Sequence, residues 1–168
     1  MLDIAKVESN SLDFNFRITD LNELMRGIEP AARLRMKPGV ALNMSLGAPE
    51  CHIDTDPNRL TQVINNLLNN AAKFTAKGNV TFGYEPRPEG IYFFVRDTGI
   101  GITKEDSDKL FIRFSKVDNF VQGSGLGLSI CKSIVELLGG RIGFSSEGKG
   151  KGSLFWFIVP DRAILYPE

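Results

Sequence analysis

The chain has 168 residues and a mass of 18.6 kDa, enough for one compact domain with a buried core. Twenty basic residues balance twenty acidic ones and the pI is about 6.6, so the molecule as a whole offers no electrostatic footprint for nucleic acid or an anionic membrane. No apolar run approaches the roughly 20 residues that cross a bilayer; Cys51 and Cys131 lack metal-ligand spacing, the single His52 cannot complete a zinc site with them, and the two thiols read as the reduced cysteines of a cytoplasmic protein.

Residues 1–12, MLDIAKVESNSL, set Leu2, Ile4, Ala5, Val7 and Leu12 among charges, as in the last turns of an amphipathic helix cut from something longer. LDFNFRITDL alternates Phe14, Phe16 and Ile18 with polar neighbours and predicts a half-buried strand. LNELMRGIEPAARLRM predicts a helix with Leu21, Leu24, Met25 and Ile28 on one side, broken or bent at Pro30. Short strands follow at VALNMSL and CHID. The clearest helix is DTDPNRLTQVINNLLNNAAKFTAKG, with Asp56 as N-cap, Pro57 at its first position and Gly78 beyond its end. Leu60, Val63, Ile64, Leu67, Leu68 and Ala71 form its core stripe. NVTFGYEP and GIYFFVRD predict paired strands, the second buried on both faces. LGLSICKSIVELLGG predicts a third helix ended by Gly139 and Gly140, and RIGFSSEGKGKGSLFWFIVP a closing hairpin. The pattern is that of an α+β sandwich with helices over one face of a mixed sheet.

Four stretches carry candidate chemistry. GSGLGLSI spaces Gly123, Gly125 and Gly127 alternately before a helix. The dinucleotide fingerprint would put its third glycine at 128 after a strand, and a P-loop would follow its glycines with Lys-Ser, so neither fits. Either a flexible loop or an anion cradle at a helix N-terminus remains. Asn66, Asn70 and Lys73 share a helix face beside the apolar stripe. That face is either simply solvated or offers amide oxygens to a hard cation such as Mg²⁺ and an ammonium to phosphate. In RDTGIGI, Asp97 ends an apolar strand, where it can form a turn or accept from the exocyclic amine of adenine while glycines admit the ring. KLFIRFSKVD sets Phe111 and Phe114 in a polar segment, as local packing or a lid hinge.

In order and spacing, NLLNNAAKFT, DTGIGI, LFIRFSKVD and GSGLGLSI resemble the N, G1, F and G2 boxes of the sensor histidine kinase catalytic domain, a GHKL ATPase with the Bergerat fold. The resemblance runs from about Phe14 to Pro160. It implies a two-layer α+β sandwich whose mixed, mostly antiparallel sheet is covered on one face by three helices. It divides the chain into the end of a dimerisation hairpin (1–12), a catalytic domain (13–162) and a tail (163–168).

The resemblance also implies site roles. Asn70 would ligate Mg²⁺ with Asn66 assisting, and Lys73 would lie near the phosphates. Asp97 would bind the adenine amine, with Gly99, Gly101, Ile102 and a water near Ser153, a serine where the family more often has threonine. Phe114 would border a lid in which Gly123, Gly125 and Gly127 permit closure and Ser124, Leu126 and Leu128 offer backbone N–H groups. Lys116, or less readily Arg113, would reach the γ-phosphate.

The reaction implied is transfer from ATP to a histidine, leaving ADP, with the acceptor on a domain absent here and His52 a structural or surface residue. The implied partners are that phosphoacceptor domain and a response regulator receiver domain, without nucleic acid or membrane contact. The piece would be a monomer from a bacterial, membrane-anchored homodimer. Two readings compete. Another GHKL-type ATPase would need a water-activating glutamate early in the amide helix, where RLTQVINN offers Gln62. A nucleotide-binding scaffold would keep the binding residues without transfer.

Overall fold

The computed structural model describes residues 13–100, 126–146 and 150–161. Among them the chain order is β1 (Arg17–Asp20), α1 (Leu21–Arg35), β2 (Val40–Ser45), β3 (His52–Thr55), α2 (Pro57–Phe74), β4 (Gly78–Arg87), β5 (Gly90–Asp97), α3 (Leu126–Leu137), β6 (Arg141–Ser145) and β7 (Ser153–Val159). Five strands form one sheet in the order β2-β4-β5-β7-β6; β2 and β4 run parallel and every other pair is antiparallel. β1 and β3 make a separate two-stranded sheet. This is the expected two-layer α+β sandwich with three helices. None of the described helices is long and apolar enough to cross a membrane.

The helices form where periodicity and caps agree. In α2, Leu60, Val63, Ile64, Leu67, Leu68 and Ala71 are all buried, as their spacing predicts. Asp56 caps its start by accepting from the Asn58 and Arg59 amides at 3.0 and 3.1 Å. α3 closes in a Schellman turn: Gly139 takes φ +91°, Gly140 N–H donates to Val135 O, and Gly139 N–H to Glu136 O. Phe82, Tyr84, Phe93, Phe155 and Phe157 from the sheet meet these apolar stripes in one core.

Two local expectations are corrected. Pro30 does not break α1, which continues to Arg35. The carbonyl it leaves without an amide belongs to Arg26 on the exposed face, where water can serve it. Ile18 is 64% exposed, because the strand begins only at Arg17 and its register places Thr19 against buried Ile53 and Ile18 against Asp54. The outer face of β5, expected to be buried, is covered among the described residues by side chains of the sheet itself. Tyr92 stacks on Phe94 and Trp156 with centroids 6.0 and 6.1 Å away, and the Arg87 guanidinium lies 3.7 Å over Tyr92.

Candidate functional site

Four asparagines stand on one stretch of α2, and the tertiary structure divides them into two pairs. Asn65 and Asn69 face α1, where Arg35 donates to their Oδ1 atoms at 3.5 and 2.8 Å. Asn66 turns the other way, its Nδ2 donating to the Cys131 thiol on α3 at 3.6 Å. That contact engages the amide nitrogen, and among the described residues Asn66 Oδ1 remains as an acceptor. Asn70 lies one turn further along the same face, half-buried, and Lys73 is exposed at the last turn. Nothing in the sequence marks Cys131's part. A cysteine inside an apolar run looks like any small core residue, and here it is wholly buried, with its thiol pushed up to about 12 by desolvation.

Asp97 ends β5 opposite Ser153 of β7. Its side chain is buried at 3% exposure, Oδ1 accepts from the Gly99 amide at 2.9 Å, and Oδ2 has no partner among the described residues. Burial raises its pKa above the usual carboxylate value, while the Gly99 and Ser153 amides pull it down. Ser153 Oγ and Thr75 Oγ1 are the other buried side-chain oxygens without a partner among the described residues. Such atoms are costly in a finished core and mark a place where a ligand or water completes the bonding.

Gly99 admits no larger residue: a Cβ there would collide with the Phe74 carbonyl oxygen and come 2.9 Å from Thr75 Oγ1. Its neighbour Ile100 donates to Phe74 O at 3.1 Å, and Gly152 donates to Gly99 O at 3.1 Å. The end of α2, the turn after β5 and the start of β7 are thereby stitched together. Lys73, Asp97, Gly99 and Ser153 thus belong to adjoining ends of connected elements, with Asn70 one turn and Asn66 two turns back along α2.

α3 begins at Leu126, so Leu126 and Gly127 lie in its first turn, and Leu128 is buried against the core. Gly101, Ile102, Phe111, Arg113, Phe114, Lys116, Gly123, Ser124 and Gly125 lie outside the described residues, as do residues 1–12. His52 is on β3, half-exposed, 3.7 Å from carboxylate oxygens of both Asp20 and Glu50. Gln62 Oε1 accepts from Arg59 at 3.1 Å.

Comparison with known proteins bears on what this arrangement does. Residues 55–163 match the family model described as histidine kinase-, DNA gyrase B-, and HSP90-like ATPase. Two-component system protein A of Emericella nidulans is 34% identical over 94% of this chain. The chain spans about a quarter of that relative's length, 25%. Among solved structures, full-length ShkA in complex with AMPPNP superposes with a TM-score of 0.84 at 29% identity, over 93% of this chain and 33% of that one. The catalytic domain of histidine kinase ThkA gives 0.75 at 28% identity, over 88% of this chain and 97% of its own.

Proposed function

The chain belongs to the histidine kinase-, DNA gyrase B-, and HSP90-like ATPases, as an ATP-binding catalytic domain of the sensor histidine kinase kind, and from that membership we propose how its residues serve phosphoryl transfer to a histidine. The observation that carries the assignment is Asp97. One carboxylate oxygen is fixed by the Gly99 amide and the other is buried without a partner among the described residues, which suits the exocyclic amine of adenine. Ser153 supplies a hydroxyl across the strand pair, and Gly99 lets the turn after β5 close onto the end of α2.

Asn70 and the Oδ1 of Asn66 would hold Mg²⁺, a donor set of neutral oxygens suited to a hard cation that also takes phosphate ligands. When bound, the ion would neutralise charge on the triphosphate. Lys73 adds a positive charge, and the N-terminus of α3, through the Leu126 and Leu128 amides, an anion-binding helix end. Gly101, Ile102, Phe114, Lys116, Gly123, Ser124, Gly125 and Gly127 complete the nucleotide site on the resemblance of their motifs alone.

The bond from γ-phosphorus to the bridging oxygen breaks, a phosphorus–nitrogen bond forms on the acceptor imidazole, and ADP leaves. The protein's part is positioning and charge stabilisation. The acceptor histidine would belong to the parent's dimerisation hairpin, and a response regulator receiver domain would take the phosphoryl group from it. Water-activating ATPase chemistry is disfavoured because Gln62, not an acid, sits early in α2, with its oxygen engaged by Arg59.

Titration calorimetry of ADP and ATP, with and without Mg²⁺, tests the site. Asp97→Asn should weaken ADP binding by about 10- to 100-fold, the range for losing a charge-assisted hydrogen bond. Asn70→Ala should abolish the Mg²⁺ dependence of ATP binding. Unchanged affinity in the first variant, or a persistent metal effect in the second, overturns the corresponding assignment.

A further inference from the structure

Thr75 follows α2 directly as its C-cap and is entirely buried, yet among the described residues its hydroxyl has no hydrogen-bond partner. This is unusual for the residue type, because a threonine at a helix end has main-chain carbonyls of the preceding turn within easy reach. A valine of the same shape would avoid the cost of the orphaned group. Thr75 Oγ1 lies where a Cβ on Gly99 would come within 2.9 Å. The same glycine fixes Asp97 Oδ1 through its amide and receives the Gly152 amide beside Ser153. Thr75 Oγ1 therefore lies beside a glycine whose amide holds the Asp97 carboxylate and whose carbonyl takes the amide of Gly152, the residue before Ser153.

We propose that Thr75 is a further base-recognition residue of the nucleotide site, its hydroxyl donating to a ring nitrogen of adenine. The inference rests on the nucleotide reading above. Two different demands then meet on one base: Asp97 requires an amine, and Thr75 requires an unprotonated ring nitrogen. Guanine puts a carbonyl where adenine carries its amine, so it would set oxygen against the Asp97 carboxylate.

The test compares ADP, 1-deaza-ADP and 7-deaza-ADP by calorimetry on the wild-type chain, Thr75→Val and Thr75→Ser. Wild type should lose about 5- to 20-fold on one deaza analogue, the loss expected for one hydrogen bond left unmade. Thr75→Val should lose a similar factor on ADP and nothing further on that analogue, with a melting temperature at or above wild type. Thr75→Ser should bind ADP within about twofold of wild type. If valine prevents folding, Thr75→Cys takes its place. ADP affinity unchanged in Thr75→Val, or the same loss on all three nucleotides, overturns the inference while Asp97→Asn still reports on the site. Failure of wild type to bind ADP at all would overturn the nucleotide reading itself.

Discussion

The proposed adenine contact of Asp97 is made at the expense of stability. Because burial raises its folded pKa, the native state holds this proton to a higher pH than the unfolded chain does. Stability therefore falls as pH rises from the unfolded value, about 3.9, through the raised folded value, and above that the cost of the buried charge is fully present. Asp97→Asn removes the charge, so its melting temperature at pH 7 should exceed that of wild type by roughly 2–4 °C for each kcal/mol recovered. The gap should close as pH falls into the interval where wild-type Asp97 is protonated, and wild-type ADP affinity should weaken over the same interval. A melting temperature for Asp97→Asn at or below wild type at pH 7 would show that the carboxylate is not destabilising. Asp97 could be singled out in the sequence because an acid ending an apolar strand before spaced glycines is conspicuous. Thr75 and Cys131 could not, since only burial and a contact from another element distinguish them from ordinary neighbours.

At the scale of the element, α2 carries the amides and is held at both ends by other parts of the chain. At its start, Asp56 is 2% exposed and accepts from Asn58, Arg59 and, at 2.7 Å, the Asn15 amide before β1. Asp56→Ala removes the cap and leaves the Asn15 amide without its acceptor, so urea unfolding should show a loss of about 2–3 kcal/mol. A loss below about 0.5 kcal/mol would mean that water replaces the cap at little cost. Calorimetry on the folded fraction should still find ADP bound, because Asp56 lies at the end of α2 remote from Asn66, Asn70 and Thr75. The cap, the Pro57 that follows it and the core stripe were all legible, because each is a local signal within one helix. The continuity of α1 through Pro30 was not, because it turns on which carbonyl loses its partner and whether that carbonyl faces water.

For the whole molecule, binding and transfer separate. With radiolabelled ATP and Mg²⁺, the chain alone should carry no label on His52. A histidine-bearing dimerisation hairpin supplied in trans should become labelled, and wild type should label it at least 10-fold faster than Asp97→Asn, following the affinity loss expected above. Label on His52, or none on the hairpin from an ADP-binding domain, would overturn the transfer proposal. By itself the sequence determined the helices and most strands, the sidedness of α2, and the order of motifs that marks an ATP-binding site. These depend on periodicity, caps and spacing within single elements, which linear order preserves. Only the tertiary structure decided which asparagines of α2 face α1 and which face Cys131, and which buried oxygens go without partners among the described residues. The physical reason is that a side chain's partners across elements follow from how the helices pack on the sheet and how Asp97 pairs with Ser153, relations between residues far apart in the chain.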